Sequence, residues 1–251
     1  GKGATNIWAP YIIPFGDKYR LYYCVSAFGL KTSYIGLAES ASPEGPWMQR
    51  GCVVKTDATS VMNAIDPSII ADSATGKWWM HYGSFFGGLY CVELNPETGL
   101  PVQEGDQGHL IARRATYWKD NLEAPEIIYN PELKQYYLFV SYDPLMTTYN
   151  VRVGRSDKAE GPFVDYFGVE LKDTTNNFPI LTAPYRFNNH PGWAGTAHCA
   201  VFTSDEGQYF MAHQGRLSPH NQMMDIHLRQ VFFTSDGLSL IHISEPTRLR
   251  R

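Results

Sequence analysis

Internal repetition is the feature of this sequence that most constrains its fold. WAPYIIPFGDKYRLYYCVSAFG, beginning at Trp8, parallels EAPEIIYNPELKQYYLFVSYD, beginning at Glu123. DPSIIADSATGKWWMHYGSFFGG begins at Asp66 and HCAVFTSDEGQYFMAHQG begins at His198, and both have the same form. Each segment consists of two alternating or aromatic runs separated by a Gly, Asn or Asp turn, which is typical of paired β-strands. Such repetition indicates a modular β-architecture.

The four segment heads Trp8, Asp66, Glu123 and His198 lie 58, 57 and 75 residues apart along the chain. Units of this length, with about four short strands each, are typical of β-propeller blades. The first strand of every blade lines the central channel, so equivalent positions should converge on one cavity. The sequence therefore predicts an all-β propeller, about four blades of it in this chain, with a polar site at the channel.

Composition narrows the choice of partners. Aromatic residues make up 14% of the chain, which fits both strand packing and stacking on sugar rings. The net charge of −4 argues against a nucleic-acid partner, which requires clustered basic residues. No apolar run approaches the roughly 18–20 residues needed to span a bilayer, so no membrane association is expected.

Two of the segment heads are carboxylates. A carboxylate at the head of an apolar strand costs several kcal/mol to bury unless it is paired or functional. For Asp66, which precedes Pro67, the alternative is a turn-capping role. For Glu123 the rival is Glu126, and strand alternation predicts that only one of the two faces the channel. The repeat alignment favours Glu123.

His198 allows two interpretations. A lone histidine beside Cys199 and Ala200 is commonly a hydrogen-bonded core residue. If it shares a cavity with two carboxylates, its imidazole can instead bind a cation or alter a neighbour's pKa.

Seven motifs in order carry a resemblance to a known family: NIWAPYII, YYCVSAFG, NAIDPSII, YGSFFGGLYCVELNPETG, EAPEIIYNPELKQYYLFVSYD, YNVRVGRSDKAEGPF and HPGWAGTAHCAVF. Through them, residues 1–237 resemble glycoside hydrolase family 43, and within it the endo-α-1,5-L-arabinanases. The resemblance implies a five-bladed β-propeller that hydrolyses α-1,5-linked L-arabinan with inversion of configuration. It further implies a monomer that is secreted or periplasmic.

The resemblance also implies roles for individual residues. Glu123 matches the general acid, and Asp66 matches the aspartate that raises the acid's pKa and orients it. His198 matches a histidine near a calcium ion in the central channel. The family's general base, an Asp heading the first blade, has no match here and is expected in a segment before Gly1. The residues matching the substrate groove are Trp8, Phe28, Asn63, Ser84 and Phe85.

Two other functions remain open. An exo-acting α-L-arabinofuranosidase or β-xylosidase of the same family would share the acid and the modulating aspartate. A non-catalytic sugar-binding propeller would keep the aromatic residues and lose the carboxylates, whereas Asp66 and Glu123 are both present.

The domain prediction is a propeller over residues 1–237, truncated at its N-terminus, followed by a non-native tail over residues 238–251. The tail begins LSLIHISEPTR, which resembles a translated sequencing-library adapter. The alternative is a genuine terminal strand followed by a basic tail.

Overall fold

The computed structural model describes residues 6–114, 121–174, 179–186, 192–218 and 223–241. Across these ranges the regular structure consists of β-strands, and no helix could cross a membrane. The strands are β1 (Asn6–Phe15), β2 (Lys18–Ser26), β3 (Ser33–Ser40), β4 (Met48–Thr56), β5 (Ser68–Ala71), β6 (Trp78–Tyr82), β7 (Leu89–Leu94), β8 (His109–Ala112), β9 (Leu122–Asn130), β10 (Gln135–Tyr142), β11 (Asn150–Ser156), β12 (Trp193–Ala194), β13 (Cys199–Thr203), β14 (Tyr209–Leu217), β15 (Met224–Phe233) and β16 (Ser239–Ile241).

The strands form four antiparallel sheets, each built from consecutive strands. We call them blade 1 (β1–β4), blade 2 (β5–β8), blade 3 (β9–β11) and blade 4 (β12–β16). In blade 3, isolated bridges at Val164 follow the third strand, and in blade 4 both β12 and β13 pair with β14. The prediction of an all-β propeller with about four blades in this chain is confirmed.

The predicted tail begins inside blade 4. Strand β16 pairs with β15, so regular structure continues past Gly237. Residues 242–251 lie outside the described residues, and the non-native tail stays a prediction.

We call β1, β5, β9 and β13 the inner strands of the four blades. A residue with a left-handed backbone conformation lies near the start of the paired segment of each inner strand. Positive φ angles occur at Ala9 (29°), Asp66 (56°), Ala124 (50°) and His198 (52°), each one or two residues before the segment that pairs regularly. These four are therefore the structurally equivalent positions. The predicted equivalence of Trp8 and Glu123 with Asp66 was wrong by one residue, because the kink falls on the alanine that follows each of them.

Neighbouring blades pack through apolar faces. One core lies between blades 1 and 2, a second between blades 2 and 3, and a third between blades 3 and 4. Strand β10 is buried over nearly its whole length because blade 3 is covered on both sides. Apolar contact of this kind supplies most of the favourable free energy of blade association.

Polar side chains cross each of these interfaces at the outer turns. The His81 imidazole of blade 2 donates to the Ala159 carbonyl of blade 3 at 2.7 Å. The Tyr137 hydroxyl of blade 3 donates to the Gly237 carbonyl of blade 4 at 3.2 Å. Between blades 1 and 2 the crossing residues include Arg20 and Tyr22, whose hydroxyl donates to the Gly99 carbonyl at 3.0 Å. These bonds satisfy turn carbonyls that packing would otherwise leave without partners.

Arg20 is fully buried and makes the most extensive of these crossings. Its Nε lies 3.1 Å from Glu39 Oε1, and its Nη1 donates to the Pro96 carbonyl at 2.6 Å. The guanidinium carbon lies 3.4 Å from the centre of the Phe15 ring. A charge taken out of water in this way is tolerated only because hydrogen bonds and a counter-ion surround it.

We predict that Arg20→Met lowers the free energy of unfolding by about 3 kcal/mol, because it leaves Glu39 Oε1 and the Pro96 carbonyl without the buried guanidinium that bonds them. The matched control is Arg50→Met: Arg50 binds the other Glu39 oxygen at 2.8 Å but is 41% exposed. That change should cost less than about 1 kcal/mol. Urea denaturation measures both, and equal losses would contradict this account of blade contact.

Candidate active site

Glu123 lies on β9 at the start of blade 3, with both carboxylate oxygens engaged. The Ser84 hydroxyl donates to Oε2 and the Tyr149 hydroxyl donates to Oε1, each at 2.7 Å. Ser84 belongs to blade 2 and forms an isolated β-bridge with Glu123. The carboxylate is therefore fixed in orientation by two neighbouring elements, while the residue stays partly exposed to solvent.

Asp66 lies beside Glu123 and is buried, with 6% of the residue exposed. Its Oδ2 accepts a hydrogen bond from the Ala124 backbone N–H at 3.1 Å. Burial raises the pKa of Asp66 to about 7; the positive charge of His198 opposes the shift and the negative charge of Glu123 adds to it. Asp66, Glu123 and His198, predicted to converge, are thus within electrostatic reach of one another.

Glu126 is the second buried carboxylate of this region, also 6% exposed. The Ser68 hydroxyl donates to its Oε2 at 2.8 Å, and the Val201 backbone N–H donates to its Oε1 at 3.0 Å. Burial raises its pKa to about 7, against the effect of these two bonds. Glu126 is also more deeply buried than the partly exposed Glu123, which makes it the poorer candidate for proton transfer to a substrate.

We expected only one of Glu123 and Glu126 to face the channel and favoured Glu123; the structure also places Glu126 at the candidate site. Glu126 lines a cavity of about 410 Å³ together with Asp66 and His198, while the charge of Glu123 also acts on Asp66. Strand alternation fails here because Ala124, between the two glutamates, is left-handed and the β9–β10 register shifts across this stretch. Sequence reasoning therefore missed Glu126 as a channel residue.

One of the predicted groove residues has a highly exposed aromatic ring. Phe28 is 86% exposed on the loop between β2 and β3. Lys31 of the same loop donates to the Ser60 carbonyl and lies 5.8 Å from the centre of the Phe86 ring. Phe85, which precedes Phe86 in the chain, is partly exposed and has a φ of 51°. The loop that carries Phe28 is thus tied to neighbouring loops, and its ring is accessible for stacking on a sugar.

The other two predicted groove residues are less accessible. Trp8 packs against the core between blades 1 and 2, and its carbonyl accepts from the Cys24 thiol at 2.8 Å. Asn63 is 3% exposed, and its Oδ1 accepts from the Ser33 hydroxyl at 2.5 Å. Substrate contacts of Trp8 and Asn63 remain predictions.

The donor groups near His198 match a calcium site poorly. Calcium takes six to eight oxygen ligands. Within the described ranges, no three His, Cys, Asp or Glu side chains are grouped so that they could hold a metal ion. His198 could supply one nitrogen to an ion that water otherwise surrounds. Calcium at this residue stays a prediction, and no catalytic step below uses it.

A β-propeller with two neighbouring carboxyl groups fits a carbohydrate-active class of protein, because paired carboxyl groups are the usual machinery of glycoside hydrolysis. The model of glycosyl hydrolases family 43 matches residues 1–238. The chain belongs to this family.

Arabinan-degrading enzymes are among the proteins similar to this chain. An extracellular endo-α-(1→5)-L-arabinanase of Thermotoga petrophila is 30% identical, over 93% of this chain and 56% of its own length. An extracellular exo-α-(1→5)-L-arabinofuranosidase of Cellvibrio japonicus is 34% identical, over 83% of this chain and 62% of its own length. The chain thus spans less than two thirds of either relative.

Solved structures agree with the family assignment. The crystal structure of the endo-1,5-α-L-arabinanase from Thermotoga petrophila aligns with a TM-score of 0.86 at 29% identity, covering 95% of this chain and 60% of that one. The α-L-arabinanase of Cellvibrio cellulosa complexed with arabinohexaose aligns with a TM-score of 0.80 at 30% identity, covering 94% and 77%.

We predict that the stability effect of Glu126→Gln depends on pH. The folded-state pKa of Glu126 is raised, so the wild type loses stability as pH rises from about 4.5 to about 7, whereas glutamine does not ionise. Relative to wild type, the variant should gain about 2 kcal/mol between pH 5 and pH 8. Urea unfolding at both pH values measures this, and a difference that does not change with pH would contradict burial of an ionisable group.

Proposed function

We propose that the whole protein hydrolyses α-1,5-linked L-arabinan, with Glu123 as the general acid. The observation that carries this proposal is the fixed carboxyl group of Glu123, held by Ser84 and Tyr149 next to the buried Asp66. The names of the arabinan-degrading relatives, and the arabinohexaose complex of one structural neighbour, support the choice of substrate.

Chemically, the glycosidic oxygen must receive a proton as its bond to the anomeric carbon breaks. Two carboxyl groups in one site repel each other when both are ionised, which favours the retention of one proton by the pair. In the proposed mechanism Glu123 gives this proton to the leaving oxygen, because it is the more exposed member of the pair. Asp66 acts through Glu123 as a positioning and charge-tuning residue.

Inversion further requires a carboxylate that activates water on the opposite face of the sugar, about 6.5–9.5 Å from the acid. No residue of this chain matches the family's base, and we propose that a further blade supplies it. Alternate residues of β15 present an exposed apolar face that such a blade could cover: Ile226 is 87%, Leu228 57% and Phe232 43% exposed. Residues 1–251 alone should then show little or no hydrolysis.

We propose endo action, outside the cell, by a monomer. The extracellular location follows the names of the relatives. The exposed Phe28 on its anchored loop supports an open groove that could bind a long chain in its middle. Exo action is the second candidate, because the Cellvibrio relative at 34% identity is named an exo-acting enzyme.

In the full-length protein we predict that Glu123→Gln lowers kcat on linear arabinan at least about 100-fold, since general acid catalysis contributes about that much or more. Binding of arabino-oligosaccharides should change less than about 3-fold, because glutamine keeps the shape and the hydrogen-bond acceptor. The control is Glu132→Gln in the exposed turn between β9 and β10. Turnover of Glu123→Gln equal to that of this control would rule out the acid assignment.

The product profile separates the two modes of action. From linear arabinan the proposed endo enzyme should release a mixture of oligosaccharides in the first minutes, whereas an exo enzyme releases one size from the outset. Chromatography of the early products makes the distinction. If the full-length protein binds arabinan and releases nothing, it is a sugar-binding propeller and the proposed hydrolysis is wrong.

A further inference from the structure

The inner strands of blades 2 and 3 belong to different sheets, and side chains connect them. The Ser68 hydroxyl, at the start of β5, donates to Glu126 Oε2 at 2.8 Å and accepts from the Ile127 backbone N–H at 3.1 Å. The Asp66 carboxylate accepts from the Ala124 N–H at 3.1 Å. Three hydrogen bonds thus set the position of β5 against β9, directly beside the two carboxyl groups of the candidate site.

Glu126 extends this connection to blade 4. Its Oε1 accepts from the Val201 N–H of blade 4 at 3.0 Å. Tyr11 of blade 1 lines the same cavity as Glu126, and burial raises the pKa of its phenol, with the charge of Glu126 adding to the shift. Tyr11, Ser68 and Glu126 each lie two residues after the left-handed position of their blade. The bonds of Ser68 and Glu126 join the inner strands of blades 2, 3 and 4, and Tyr11 places blade 1 at the same cavity.

The chemistry of the contacts favours a carboxylate at position 126. Both groups that bind its two oxygens, the Ser68 hydroxyl and the Val201 N–H, act as donors. An amide in the same place would present its own N–H to one of them, whereas a carboxylate accepts from both. Burying this ionisable group at 6% exposure is costly, and the cost is consistent with a role beyond filling space.

We infer that Glu126 is a positioning residue: through Ser68 it fixes β5 against β9 and thereby the separation of Asp66 from Glu123. The inference rests on the proposed function in that these two carboxyl groups carry the reaction. A displacement of about 1 Å between reacting groups can reduce turnover by about two orders of magnitude, so the position of β5 bears directly on kcat. Glu126 itself touches no substrate in this account.

The test variant is Ser68→Ala, which cuts the link to Glu126 without changing any charge. Its matched control is Ser156→Ala, another buried serine, whose hydroxyl accepts from the Lys158 N–H at 3.1 Å in an outer turn. The first readout is the pH titration of the Asp66 carboxyl carbon by NMR, which needs no catalytic activity. The second is kcat and KM on arabino-oligosaccharides in the full-length protein.

In Ser68→Ala the Asp66 titration midpoint should fall by at least about half a unit, because the strands separate and water reaches the carboxyl group. The kcat should fall about 10-fold or more with KM within about 2-fold, while Ser156→Ala changes neither. If Ser68→Ala does not fold, Glu126→Gln takes its place, with the same expected loss of kcat.

An unchanged Asp66 titration and unchanged kcat in a folded variant would overturn the inference. The proposed function fails differently. If the full-length wild type cleaves no arabinan but Asp66 still shifts in Ser68→Ala, the positioning role stands and the proposed activity falls. If arabinan is cleaved and neither readout moves, the activity stands and the positioning role falls.

Discussion

Among the residues that the structure describes, the inner strands of adjacent blades are not hydrogen-bonded to one another through their backbones, and the rest of the structure depends on how that gap is bridged. Apolar packing brings the sheets together but is non-directional, so it cannot by itself fix one strand against the next. Hydrogen bonds do so on the channel side through Ser68 and Glu126, and at the outer turns through Arg20 and His81. The candidate site lies where these channel bonds are concentrated.

A second constraint is the left-handed residue at the mouth of every inner strand. Asp66 and His198 are of types enriched in this conformation, the other two residues are alanines, and none is glycine. Such strain persists only where surrounding contacts enforce it, and it is common at functional sites. The left-handed conformation of Ala124 brings both glutamates close to Asp66, although they are three residues apart. The charge of Glu123 acts on Asp66, and Glu126 lines the same cavity as Asp66. Asp66 in turn accepts from the N–H of the strained Ala124.

Two parts of this structure could be predicted from the sequence. The repeated segments predicted the blades, and the equivalence of their first residues predicted that Asp66, Glu123 and His198 lie close together. The one-residue error at Trp8 and Glu123 arose because residue letters do not report φ, and alanine is an unexpected residue at a left-handed position. Glu126 was missed for the same reason, since the alternation rule assumes a regular strand. Its partners Ser68 and Val201 are far apart in sequence, and only the folded structure joins them.

The central claim is that Glu123 protonates the glycosidic oxygen, and the most direct measurement is a crystal structure of the full-length protein with a linear arabino-oligosaccharide bound. The account predicts a Glu123 carboxyl oxygen about 2.6–3.2 Å from a glycosidic oxygen, with Asp66 beside it and out of contact with that atom. An oligosaccharide seated on the channel with its glycosidic oxygen against Asp66 or Glu126, and away from Glu123, would contradict it.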